Sequence, residues 1–312
     1  MSTFEQTLKL AGLQPRDMRD DGKWRRCPTD DHPKKKNGAY RLEPGGRRGF
    51  FRNWADGMGV QAWSDDTEYT PTPGDMKRQA EHRARERAEK IEAVRNARAL
   101  WSDGQSYRPH PYLTGKGLSA EGCHHLRTWK GSVWVDRGEQ ITDTWLLVPL
   151  YWRDKLVNVQ RISSAGVKRQ MKAAPQKACS LILGRPSWAV TVICEGLATG
   201  LAIYQCMRQA RVVVAFFADN LVPVVGELRP TGSVVVVADN DWRTAQRRPD
   251  LGNPGILKAT DAANLIGAGV VWPEGIEGSD IADMLREYGP TAAKRIERLI
   301  LGKARYIVKE TV

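Results

Sequence analysis

Val190-Thr191-Val192-Ile193-Cys194-Glu195-Gly196-Leu197-Ala198-Thr199-Gly200 passes from a short apolar, β-branched run to an acid and then to Gly-x-x-Thr-Gly. An apolar run of this length, bounded by a turn signal, reads as a strand buried on both faces, and residues 199–209 after it read as a helix. The alternation continues toward the C-terminus. Residues 212–217, 234–238 and 270–272 are further strand candidates, and 256–266 and 281–287 further helices. Apolar strands separated by helices predict an α/β domain built on a mainly parallel sheet.

In an open parallel sheet, functional groups gather beyond the carboxyl ends of the strands. Three acidic positions fall there: Glu195, then Asp239-Asn240-Asp241, then Asp280 with Asp283. Asp239 and Asp241 point to one side if the backbone stays extended, and Asp280 and Asp283 share a face of a helical turn. One acid after a strand is usually a turn or cap residue. Three such positions in one sheet point to a hard divalent cation, which takes carboxylate, water and phosphate oxygens. Four Asp and one Glu suffice for two ions that clamp the attacking and leaving oxygens of a phosphoryl transfer.

The segments upstream have other textures. Residues 1–66 open with a short helix candidate, 3–10, followed by Gly- and aromatic-rich segments at 23–26, 39–42, 49–54 and 60–63 that predict a small antiparallel sheet. Lys23, Arg25, Arg26, Lys34, Lys35, Lys36, Arg47, Arg48 and Arg52 lie among Trp24, Tyr40, Phe50, Phe51 and Trp54. Basic groups can grip a nucleic-acid backbone while aromatics stack bases, although some of these rings must also make the core. Residues 67–101 are a Pro-containing linker and a charged helix, with Asp75 as its expected cap and a narrow Ala-rich apolar face. Its charges read first as a solvated face and second as a nucleic-acid stripe. Within 102–187, strands are expected at 144–149 and 156–162 around the turn Arg153-Asp154-Lys155. A helix, 291–301, and a short apolar tail close the chain at 312.

A net charge of +12 and a pI near 9.6 suit a polyanionic partner. No apolar run reaches membrane-spanning length and the first residues lack a signal pattern, so a cytoplasmic protein without a membrane partner is expected. Five scattered cysteines, none in a CxxC pair, fit a reducing compartment and give no zinc ribbon. Cys123-His124-His125 reads as a surface turn, and Cys27 with His32 has no second ligand pair.

The order strand-Glu-Gly-x-x-Thr-Gly followed by strand-Asp-x-Asp resembles the TOPRIM domain shared by bacterial-type primases, topoisomerases and some nucleases. The likeness extends toward the primases of phages and conjugative plasmids through Ala218-Asp219-Asn220-Leu221, Asn253-Pro254-Gly255 and Gly278-Ser279-Asp280-Ile281-Ala282-Asp283. Upstream, His110-Pro111-Tyr112-Leu113-Thr114-Gly115-Lys116-Gly117, Leu147-Val148-Pro149-Leu150 and Asn158-Val159-Gln160-Arg161-Ile162 resemble the primase core of that group. The resemblance covers about 107–290, with a looser match at 22–63.

It implies a small basic, β-rich, zinc-less module (1–66), a linker and charged helix (67–101), a mixed α+β primase-core subdomain (102–187), a Rossmann-like TOPRIM catalytic domain (188–290) and a C-terminal helix and tail (291–312). It implies a nucleotidyltransferase, a primase making short RNA primers from NTPs on single-stranded DNA in a bacterial host cell. Glu195 would be the acid/base carboxylate and, with Asp239, Asp241, Asp280 and Asp283, would hold Mg²⁺ or Mn²⁺, with no zinc expected. Lys116, Arg161, Lys168 and Lys258 would grip template or nucleotide phosphates. The alternatives are a TOPRIM nuclease and a catalytically idle nucleic-acid-binding accessory or anti-defence protein. A topoisomerase fits less well, because too little chain remains for a tyrosine-bearing domain. With no GxxxxGK[ST], a replicative helicase would be a separate partner.

Overall fold

The computed structural model describes residues 3–54, 56, 58–65, 73–119, 125–135, 138–184 and 189–308, without the side chains of 73, 75, 78 and 79. Cys123, His124 and Trp188 lie outside the described residues. The chain divides into two compact units, Met1–Glu89 and Lys90–Val312.

In the first unit, α1 (Phe4–Leu10) starts at Thr3, which forms a capping box with Gln6. Strands β1 (Arg25–Cys27), β2 (Gly38–Leu42), β3 (Arg48–Asn53) and β4 (Gln61–Ser64) make the expected antiparallel sheet in sequence order. Its core holds Phe4, Leu8, Leu13, Cys27, Tyr40 and Phe51. Tyr40 and Phe51 therefore serve packing and are not free to stack bases. α2 (Pro73–Asp103) begins two residues before Asp75, so Asp75 lies in the first turn and is not the cap. Pro73 suits that first position, where no intrahelical N–H bond is lost.

The second unit contains two sheets. β5 (Gln105–Ser106) is followed by α3 (Pro111–Thr114), β6 (Arg127–Trp134), β7 (Gln140–Trp152), β8 (Lys155–Ile162) and β9 (Lys168–Gln170). The five strands form an antiparallel meander in sequence order. β7 and β8 meet at Arg153-Asp154, both at positive φ (45° and 62°), the conformation of a two-residue hairpin turn.

The other sheet holds β10 (Leu181–Leu183), β11 (Val190–Cys194), β12 (Ala210–Val214), β13 (Gly232–Val237), β14 (Gly269–Val271) and β15 (Arg305–Ile307), in the order β10-β12-β11-β13-β14 with β15 also on β13. β11, β12, β13 and β14 are parallel; β10 and β15 run antiparallel at its margins. The connecting helices are α4 (Leu197–Cys206), α5 (Leu221–Leu228), α6 (Trp242–Arg247), α7 (Pro254–Ile266), α8 (Ile281–Tyr288) and α9 (Ala292–Leu301). Helices cover both faces, which is why the central strands are apolar on both sides: all of Val190–Cys194 is buried. The C-terminal helix belongs to this core through Ala292, Ile296 and Ile300.

The two sheets share one core and one backbone seam. Tyr151 N–H donates to Ser180 O at 3.0 Å, and Ser180 N–H to Tyr151 O at 2.9 Å. Behind that seam Asn220 is fully buried. Its Nδ2 donates to Cys179 O (2.9 Å) and Ala215 O (2.7 Å), and its Oδ1 accepts from Ala178 N–H (2.7 Å). Asn220→Ala strands two buried carbonyls and one partly buried N–H, the buried groups each costing ~1–3 kcal/mol. The expected result is a fall in melting temperature of about 10 °C, measured by calorimetry.

Candidate active site

Glu195 follows β11 directly. Its carboxylate accepts the Ala218 N–H, presented by a chain that turns after β12 through Phe216 at φ 73°. A bulky residue in that region is strained by ~1–3 kcal/mol, a cost commonly found beside functional groups. Burial first, and the nearby charge of Asp241 next, push the Glu195 carboxyl up to about 7, with Lys168 opposing them.

Asp239 lies two residues beyond β13. Burial and the charges of Glu195 and Asp280 push its carboxyl well above the usual range, while Thr199 Oγ1 donates to its Oδ1 at 3.2 Å. The extended backbone expected between Asp239 and Asp241 is not observed. Asp241 sits at φ −75°, ψ 42°, ahead of α6, and Trp242 N–H closes a tight turn onto Asn240 O at 2.8 Å. The cause is the Asn253-Pro254-Gly255 segment. Asn253 Oδ1 accepts from both Asp241 N–H (3.1 Å) and Ile256 N–H (3.3 Å), capping α7 and anchoring the turn together. Gly255 N–H donates to Asp241 Oδ2 at 3.1 Å. A Cβ at Gly255 would lie 2.2 Å from Asp239 O, so no other residue fits without moving the metal-motif loop.

Asp280 caps α8, its Oδ1 accepting Asp283 N–H at 2.7 Å. Asp283 Oδ2 accepts Ser279 N–H at 3.0 Å, and its Oδ1 pairs with Arg286 at 3.1 Å and Lys116 at 3.8 Å. Its carboxyl is held low by these bonds and cations despite its partial burial. Of the five expected ligands Asp283 is thus the most committed within the protein. Lys116 also reaches Asp280 Oδ2 at 3.3 Å. It lies against the acids, not apart from them as a free phosphate grip.

The other expected cations divide. Lys168 acts on Glu195 and stands 5.9 Å from the Tyr112 ring centre. Lys258 pairs with Asp219 at 3.2 Å. Arg161 on β8 donates to Gln170 O at 3.1 Å, and its Nε is buried without a partner. Tyr112 is a site residue that sequence reasoning did not single out. Burial pushes its phenol up, with Asp280, Asp239 and Asp283 adding to the effect and Lys116 opposing it. His110 holds that segment in place: Nδ1 accepts Tyr112 N–H at 3.3 Å, and Nε2 meets Thr144 O at 2.8 Å. The signal lay in His-Pro, a cap followed by a first-turn proline.

In the first unit, Lys23 and Lys34, Lys35 and Lys36 are exposed. Trp54 lies under two guanidiniums, Arg26 at 4.0 Å and Arg52 at 5.2 Å. Arg25 pairs with Asp21, and Arg47 with Asp65 at 3.8 Å. Cys27 is buried, which pushes its thiol up to about 11.

The set is all oxygen donors crowded by like charge, the chemistry a hard divalent cation relieves. The carboxylates do not yet converge on one point: among the described residues no three His, Cys, Asp or Glu are placed to hold a metal.

Residues 190–291 match the family model of the Toprim domain. This segment is a Toprim domain. Its acidic loops at the carboxyl ends of β11, β13 and β14 are the groups described above. Beyond the Toprim domain, the chain is similar to a DNA primase TraC of Escherichia coli, 30% identical over 278 residues, 79% of this chain and 25% of that protein. A second DNA primase TraC of Escherichia coli is 28% identical over 174 residues, 53% of this chain and 11% of that protein. The chain thus spans a quarter or less of the curated relatives it matches. Among solved structures, the DnaG primase catalytic domain bound to single-stranded DNA aligns with TM-score 0.45 and 14% identity, over 70% of this chain and 84% of that one. The primase fragment of the bacteriophage T7 primase-helicase aligns with TM-score 0.43 and 13% identity, over 62% and 78%. No helix among the described residues is long and apolar enough to cross a membrane.

Proposed function

We propose that this chain is a DNA primase that makes short RNA primers on single-stranded DNA, serving plasmid or phage replication. The observation that carries it is the crowding of Glu195, Asp239, Asp241 and Asp280 at one edge of the Toprim sheet, faced by Lys116, Tyr112 and Lys168 from the upstream segments. The similarity to DNA primase TraC supports it, because it reaches well upstream of the Toprim domain.

Asp239, Asp241 and Asp280 would hold Mg²⁺ or Mn²⁺, with Asp283 keeping the Asp280 loop in shape. When bound, the metal supplies positive charge to the oxygens of the phosphoryl transfer. Glu195, poised near neutrality, is suited to accept the proton of the attacking 3′-hydroxyl. Lys116, 3.3 Å from Asp280 Oδ2, would offer its ammonium to a triphosphate beside that carboxylate. Lys168 brings a second positive charge near Glu195. Lys258 and Arg161 are second-rank candidates for template or nucleotide phosphates. Lys23, Arg26, Lys34, Lys35, Lys36 and Arg52 would hold the template strand, with Arg25, Arg47 and Arg48 contributing charge. A replicative helicase would be a partner of this activity.

The test is incubation with single-stranded DNA, Mg²⁺ or Mn²⁺ and labelled NTPs, beside Asp239→Asn/Asp241→Asn. Short labelled products from the unsubstituted protein alone are expected. A shortened template without incorporation would assign the same acids to a nuclease, and strand binding with neither product would sink both.

A further inference from the structure

Within Met1–Glu89 there is a cavity of about 320 Å³, away from every acid of the Toprim domain in sequence. It opens between the β2–β3 hairpin and the N-terminal half of α2, lined by Arg41, Glu43, Arg48, Phe50, His82 and Arg83 among others. Its two acids are already used. Glu43 takes Arg41 at 2.8 Å, and Glu86 lies 3.7 Å from the His82 ring. Arg48 and Arg83 have no side-chain partner among the described residues. Two further groups are short of one: Arg41 Nε and His82 Nε2 are buried and make no hydrogen bond. Those two nitrogens are packed inside the wall, so the donors that the cavity presents are the exposed guanidiniums of Arg48 and Arg83. The partly buried ring of Phe50 adds an apolar face to the same wall.

We propose that this cavity binds a nucleoside phosphate. Phosphate oxygens accept from Arg48 and Arg83, and the base lies on Phe50. The volume falls in the range of small-molecule sites. The inference deepens the reading of the basic module as a nucleic-acid-binding part. It requires no metal and none of the Toprim acids, so it can fail or stand by itself.

The experiment is calorimetric titration of the full chain in EDTA. The probes are AMP, inorganic phosphate, a 5′-phosphorylated oligonucleotide and the same oligonucleotide without the phosphate. AMP is expected to saturate a single site without metal. Arg48→Gln/Arg83→Gln is expected to weaken it about tenfold or more with an unchanged melting temperature, since neither side chain holds the fold. Phe50→Leu is expected to weaken AMP about tenfold while leaving inorganic phosphate unaffected. AMP binding above the phosphorylated strand identifies a free nucleotide as the ligand. A strand preferred only when phosphorylated identifies a chain end. Absence of both AMP and phosphate-dependent strand binding in EDTA overturns the proposal, as does binding that neither variant changes. Asp239→Asn, which acts on metal-dependent synthesis, leaves these titrations unchanged, so the two readings fail separately.

Discussion

Asp239→Asn is expected to abolish metal-dependent synthesis and, in the metal-free protein, to raise the melting temperature. The two effects share one cause. Asp239 is deeply buried beside Glu195 and Asp280, and all three carry the same sign of charge when ionised. Asparagine keeps the shape and the Oδ1 that accepts from Thr199 Oγ1, and removes one member of the repelling set. Relief of that repulsion is expected to raise the melting temperature by a few degrees. Loss of a carboxylate proposed to hold metal is expected to cost the proposed synthesis about a thousandfold, ~4 kcal/mol of transition-state stabilisation. Scanning calorimetry in EDTA and primer synthesis on the same preparation read both. A variant less stable than the unsubstituted protein in EDTA would show that Asp239 is held by contacts and not strained by charge.

The second large effect is a pH dependence that metal reverses. The Glu195 carboxyl is raised in the fold from 4.5 to about 7. The folded state therefore binds more protons than the unfolded chain between those values. The stabilisation tied to the protonated form is complete below about 4.5 and is lost as pH rises through about 7. Its size is on the order of 3 kcal/mol, reduced by whatever solvent reaches the group. Asp283 and Asp143, both held low, act oppositely, and their stabilisation is lost only below about 3.8. In EDTA the melting temperature should fall from pH 5 to pH 8. With Mg²⁺ in excess it should rise, because a cation binds only the deprotonated acids. Parallel curves with and without Mg²⁺ would remove metal from the Glu195 neighbourhood.

The strand-acid alternation from residue 190 onward was legible because strands buried on both faces must be apolar throughout, and β11 spans the same five residues in sequence and structure. β12 was read two residues late at its start and three late at its end, since Val-rich sequence continues into a turn made at Phe216. α5 was missed: Pro223 and Gly226 fall inside an eight-residue, mostly apolar segment, where period and breaker signals conflict. The acids themselves were legible, but not how they are held. The Asp241 turn depends on Asn253 and Gly255, twelve and fourteen residues away, and the Lys116–Asp280 pair joins residues 164 apart. Asn220, read only as part of a motif, is a structural clasp. No local pattern reports that it meets Cys179.

The reciprocal Tyr151–Ser180 bond pair has a mechanical meaning. Lys168 and Tyr112 arrive with the meander, while Glu195 and Asp239 arrive with the parallel sheet, and the two sheets share one core behind that seam. The spacing between ammonium and carboxylate is therefore tied to the packing of the two sheets on each other. On the proposed function, a strand and an incoming nucleotide would meet groups carried by two sheets that are joined at this seam.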